Sequence, residues 1–206
     1  MMNNSSDPVN GWKRLLNQGF DNEFSLFSKE RWQEFIEDAL TLWKNHELSP
    51  AEFYSIVKLT DTYLNNIIDS DASEKPYETP VDIVYFDNVL PNGALFLGAL
   101  LKSMSYSPHL IPVGHHLEDW LRIFDGFDRS FVFVSLFHFV HIKSLIGLVA
   151  FLQKRRIDII LGGAPFEYDK SLASRFVGCI VPKDINELKN ILSQIKSRGE
   201  KWKLRV

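Results

Sequence analysis

Apolar residues recur at intervals of three and four over the first third of the chain. After a polar start (Met1 to Asn10), Trp12, Leu15 and Leu16 open a helical pattern that breaks at Gly19. Trp32, Phe35, Ile36, Ala39, Leu40 and Trp43 then line one stripe, which predicts a helix from Ser28 to His46. A second helix is predicted from Ser49-Pro50-Ala51-Glu52. There Ser49 can cap, proline suits the first helical position, and Glu52 completes a capping box. Its face is Phe53, Ile56, Val57, Thr60, Tyr63, Leu64 and Ile67. Helices of this size cannot cover their own apolar faces, so this segment is expected to pack on the C-terminal domain or on another chain.

The run from Asp69 to Pro76 is acidic and polar and cannot bury itself, which predicts a helical segment over 1–70, a linker over 71–80 and a second domain over 81–206. From Val81 the period changes. Short apolar runs at Asp82–Phe86, His109–Val113, Phe131–Leu136, Ile157–Leu161 and Gly178–Val181 alternate with helical patterns at Asn92–Ser105, His116–Phe124, Val140–Lys154, Tyr168–Arg175 and Asp184–Lys196. Asp184 and Glu187 form a second capping box. This alternation predicts a flavodoxin-like, doubly wound parallel sheet of five strands ordered 2-1-3-4-5, with a ligand crevice outside the carboxyl ends of the strands.

Composition narrows the function. The formal net charge of −3 and scattered basic residues give no footprint for nucleic acid. No run approaches the length needed to span a bilayer, and no leader pattern opens the chain, so a cytoplasmic protein away from the membrane is expected. The lone Cys179 sits in an apolar run and reads as an inert thiol. Sixteen Phe, six Tyr and five Trp exceed what a minimal core needs, leaving an aromatic core and an aromatic pocket or interdomain face both open. Catalytic elbows, phosphate loops and zinc-protease motifs are absent, so the sequence points away from an enzyme without deciding the matter. Asp82, Asp87 and Lys183 are placed loosely as in a phosphoacceptor receiver, but the acidic pair such a domain needs before its first strand is missing.

Three strand-end loops share the predicted rim: Asp87 to Gly93, Ser135 to Phe139, and Leu161-Gly162-Gly163-Ala164-Pro165. Ile160 to Pro165 after the fourth strand, with Val134-Ser135-Leu136 ending the third, resembles the cobalamin (vitamin B12)-binding domain family over essentially Val81 to Ile195. The resemblance implies a cofactor site at Asn88, Leu90, Gly93, Ser135, Leu136, His138, Gly162, Gly163, Ala164 and Pro165, beneath a helical cap formed by the N-terminal segment. It departs where the family reads Asp-x-His-x-x-Gly, because the matching positions are Asn88, Leu90 and Gly93. Leucine has no lone pair for cobalt. The implied options are cobalamin held without that histidine, its benzimidazole kept on the metal in a slot among Phe86, Leu90, Ser135 and Gly162-Gly163; another tetrapyrrole such as haem; or no cofactor. For haem, His115, His116, His138 and His141 are the candidate donors, with His138 first because it follows Ser135 at the crevice floor. His138 and His141 would share a face if a helix already begins there. The resulting expectation is a sensor or regulator that binds a tetrapyrrole between helical segment and rim, working with a protein partner or as a homo-oligomer. The alternative is a cofactor-free interaction module on the same fold.

Overall fold

The computed structural model describes residues 28–70, 79–87 and 91–198. The predicted N-terminal pattern at Trp12, Leu15 and Leu16 and most of the acidic linker therefore lie outside the described residues. Helix α1 (Lys29–Lys44) begins at Ser28, whose hydroxyl accepts from the Arg31 N–H at 3.3 Å. Helix α2 (Pro50–Ser70) starts on the expected capping box. The Glu52 N–H donates to Ser49 Oγ at 3.2 Å and the Ser49 N–H donates to the Glu52 carboxylate at 2.8 Å. The buried stripes of the pair meet through Trp32 stacked on Tyr63 (5.5 Å between ring centroids) and Trp43 on Phe53 (5.1 Å).

The described part of this helical unit is completed by a later element. Residues Leu95–Tyr106, the body of α3 (Asn92–Ser103) and the turn after it, cluster with α1 and α2. Phe96 packs on Phe53 (5.8 Å), and the Lys102 ammonium bonds the Asp61 carboxylate and, at 2.9 Å, Asn65 Oδ1. Two amphipathic helices leave an apolar side uncovered, and α3 supplies a third wall.

The second unit, Thr79–Ala94 with the residues from Ser107 onward, holds the sheet. Its strands are β1 (Thr79–Phe86), β2 (Tyr106–Val113), β3 (Phe131–Ser135), β4 (Asp158–Gly162) and β5 (Cys179–Ile180), in the order β2-β1-β3-β4-β5. The sheet is parallel and has the expected order, with helices flanking it. Tyr85 stands beside Ser135, and Ser135 beside Gly162. The apolar runs of β1, β3 and β4 are buried nearly throughout, as strands covered on both faces must be. Val84, Phe86, Val134, Leu136, Ile159 and Leu161 join Leu145, Leu148 and Leu152 of α5 (Ile142–Lys154) in the core. Trp120 of α4 (Leu117–Ile123), Phe124, Phe151, Phe166 and Phe176 are also buried there, so much of the aromatic surplus goes to the core.

Several boundaries differ from the sequence reading. β2 runs back through Pro108 to Tyr106, because it lies at the sheet edge, where outward positions need no N–H. The single helix expected over Tyr168–Arg175 is two short pieces. α6 (Ala164–Tyr168) ends at Asp169, whose carboxylate accepts from the Ser171 N–H at 3.0 Å and opens a tight 3₁₀ turn over Lys170–Arg175. At α7 (Ile185–Arg198) half of the expected box forms: Asp184 caps the Glu187 N–H at 2.9 Å, while the Glu187 carboxylate reaches the Lys183 N–H at 2.7 Å, one residue further back. Asp82 does not flank β1 as a receiver carboxylate would. It lies inside the strand, buried, with Arg129 Nε at 3.3 Å and His109 Nδ1 at 3.4 Å.

Candidate functional site

The strand order reverses between β1 and β3, so the crevice rule points to the carboxyl ends of those two strands. Three rings meet there. Phe86 ends β1, His115 follows β2, and His141 closes a 3₁₀ turn (Phe139–His141) after β3. Their centroids lie 4.8–5.2 Å apart and their planes are within 16° of parallel. His115 Nδ1 is 2.8 Å from the Ser144 hydroxyl. His141 is only 4% exposed, and its Nε2 has no hydrogen-bond partner among the described residues. Burial, followed by the neighbouring His115 and His138, pushes its pKa below the ordinary 6.5, so the ring is neutral near neutral pH.

Glycines shape the ends of β3 and β4. Gly163 has φ +118° and ψ 172°, a region closed to residues with a Cβ, and a methyl there would stand 2.0 Å from the Leu136 carbonyl oxygen. This close approach lets the Leu136 N–H donate to the Gly162 carbonyl at 2.8 Å, carrying the β3–β4 pairing one step past Ser135. A methyl on Gly162 would meet nothing within 4 Å, so the strand end opens onto free space. Gly93 instead packs against the third strand, since a methyl there would come 2.7 Å from Ser135 Oγ. Beside it Asn92 is 5% exposed, and its Oδ1 has no partner among the described residues.

Of the expected site residues, Gly93, Ser135, Leu136, Gly162 and Gly163 are thus brought together. Ala164 and the buried Pro165 open α6 behind Gly163. Asn88 and Leu90 lie outside the described residues. His138 is exposed. Its Nδ1 accepts from the Val140 N–H at 3.2 Å, so the neutral ring carries its proton on Nε2 and offers no lone pair in this arrangement. His138 and His141 do not share a helix face, because the chain leaves β3 extended at His138 (φ −136°, ψ 147°) and α5 begins only at Ile142. His116 precedes α4, exposed and without a side-chain cap. The Cys179 thiol is pushed up to about 11 by burial, as expected of an inert group. Among the described residues no group of three or more His, Cys, Asp or Glu is placed to hold a metal ion, and no helix is long and apolar enough to cross a membrane.

Sequence reasoning passed over Asn92 and the ring stack. Asn92 resembled a helix-start residue, and nothing in the linear order announced that Phe86, His115 and His141 would converge from three strand ends. A site for a tetrapyrrole needs an open strand-end surface, a shaped backbone and polar groups awaiting partners. Gly162 and Gly163 supply the open surface and the shaped backbone. Among the described residues no preformed metal-ligand set accompanies them.

No protein-family model matches the chain, and a search of curated proteins finds no match. Solved structures do match. One is a novel cobalamin-binding protein from Desulfitobacterium hafniense DCB-2, 9% identical, with a TM-score of 0.54 over 90% of this chain and 89% of that one. Another is the methanol:cobalamin methyltransferase complex MtaBC from Methanosarcina barkeri, 15% identical, with a TM-score of 0.52 over 95% of this chain and 75% of that one. At these identities the likeness is one of fold: the chain has the five-stranded α/β architecture found in cobalamin-binding proteins.

Proposed function

We propose that this chain binds a corrinoid at the carboxyl rim of β1, β3 and β4 and acts as a sensor or regulator rather than as a catalyst. The observation that carries the reading is the Gly162-Gly163 step. One glycine is locked against the Leu136 carbonyl while its neighbour faces open space, at the strand ends where ligands of open parallel sheets bind. Ser135 and Gly93 would border the ligand's tail, and Asn92 and His141 its polar edge. A bound corrinoid would supply a cobalt centre. Leu90 stands where the resemblance places a histidine, and its side chain has no lone pair to offer a metal. The residues of the chain then bind, orient and shield; none is assigned a proton-transfer step.

The test is visible absorption of the purified full chain titrated with hydroxocobalamin, adenosylcobalamin and hemin, followed by gel filtration. Retained corrinoid with a base-on spectrum is the expected result. A colourless protein after all three, or a bound cobalamin showing histidine in place of benzimidazole, sinks this reading. A cofactor-free interaction module is favoured by one observation: Leu117 (51% exposed) and Leu121 (46%) stand one turn apart on α4, turned to solvent.

A further inference from the structure

We propose that two copies of this chain pair face to face through the outward seam between α4 and α5. The pairing does not depend on what the rim binds. Of the seven large apolar side chains exposed among the described residues, Leu117 and Leu121 are on α4, Ile146 is on α5, and Phe139 and Val140 are in the turn that leads into α5. Exposed apolar residues scattered singly need no explanation, but five gathered on neighbouring elements do. Leu117 and Leu121 stand one turn apart, as do Ile146 and the exposed Ala150, so each helix carries an apolar row.

The two rows flank one joint. The Trp120 ring of α4 lies against Gly147 of α5, so close that a methyl on the glycine would come 2.9 Å from it, and the indole N–H donates to the Gly114 carbonyl at 2.8 Å. Trp120 and Phe124 on one helix and Leu145, Leu148 and Leu152 on the other fill the core-facing sides, which leaves the exposed rows on the outer surface. Charge names the occupant. Glu118 in the first turn of α4 and Lys143 in the first turn of α5 are exposed and make no ion pair among the described residues, whereas Arg122 has Asp119 of its own helix at 3.5 Å. Both helices run back from the carboxyl end of a parallel strand, so they point the same way. A two-fold axis parallel to them lays α4 of one protomer over α5 of the other. Leu117 and Leu121 then meet Ile146 and Ala150, and each Glu118 comes beside the partner's Lys143. The face thus carries its own complement, apolar row to apolar row and acid to base, as an isologous interface requires of a single patch.

The experiment is sedimentation of the full chain through the micromolar range, with circular dichroism of every variant to check its fold. Wild type is expected to dimerise, and Leu117→Glu/Leu121→Glu to stay monomeric. Glu118→Lys alone places two lysine pairs in the dimer, and Lys143→Glu alone places two glutamate pairs, so each should associate at least about tenfold more weakly. Mixed in equal amounts, the two charge variants regain both opposite-charge contacts as a heterodimer, and association should return to the wild-type level. A wild type that stays monomeric overturns the proposal and leaves the face to a partner of another kind. A dimer that survives Leu117→Glu/Leu121→Glu overturns it too, as does a mixture of the charge variants that associates no better than either alone.

Discussion

Replacing Gly163 by alanine should unfold the rim, while the same change at Gly162 should leave it standing. At Gly163 the backbone lies at φ +118° and ψ 172°, where a side chain costs about 1–3 kcal/mol of conformational strain. The new methyl would also fall 2.0 Å from the Leu136 carbonyl oxygen and 2.8 Å from its carbon, both main-chain atoms that cannot swing aside as a flexible side chain would. Relief requires separating β3 from β4 at the point where the Leu136 N–H meets the Gly162 carbonyl. Losing that bond adds about 0.5–1.5 kcal/mol. Together these give a loss of about 1.5–4.5 kcal/mol for Gly163→Ala. At Gly162 the added methyl meets nothing and the backbone is ordinary, so Gly162→Ala should change stability by less than about 1 kcal/mol, in the stabilising direction if at all. It should nevertheless weaken hydroxocobalamin binding by filling space the ligand needs. Urea unfolding followed by circular dichroism measures the first pair of effects, and an absorbance titration the third. The reasoning is refuted if Gly163→Ala unfolds within about 0.5 kcal/mol of wild type, or if the two alanines destabilise equally.

Two further outcomes are expected. The folded pKa of His141 lies below its ordinary 6.5, so between those values the unfolded chain binds more protons. Stability should hold above about pH 6.5 and fall as the pH drops toward the folded value; His141→Phe should flatten that part of the curve, and parallel wild-type and mutant curves would remove the burial argument. Arg129→Met should cost about 1–3 kcal/mol, because it strips a cation from the buried Asp82 carboxylate, whereas Arg122→Met, on the more exposed Asp119, should stay within about 0.5 kcal/mol. Equal unfolding midpoints for the two would show that Asp82 does not depend on its partner.

Much of the fold was legible because its signals are local. The capping hydrogen bonds at Ser49 and Glu52 join residues three apart, and the apolar runs of β1, β3 and β4 record double-sided burial in consecutive residues. Signals that depend on distant neighbours were lost. Pro108 reads as a breaker until β2 is known to be an edge, and α3 reads as an ordinary crossover helix until Phe96 and Lys102 find partners on α2. At the rim, Gly162-Gly163 and Ser135 stood out through composition and order. The burial that leaves Asn92 Oδ1 and His141 Nε2 without a hydrogen-bond partner among the described residues is a tertiary property, invisible to spacing.

The prolines of β2 have a consequence for how this protein meets others. The Val113 carbonyl accepts the Asp87 N–H, so Val113 turns its polar groups toward β1, and by alternation positions 106, 108, 110 and 112 turn theirs away from the sheet. Pro108 and Pro112 occupy two of those four, leaving outward backbone donors only at Tyr106 and Leu110. At the far side β5 is two residues long. Neither flank offers the row of donors and acceptors that an added strand requires, so the sheet resists stacking edge to edge into fibrils or ribbons. A partner chain is therefore steered toward helix surfaces or the rim, and away from strand exchange.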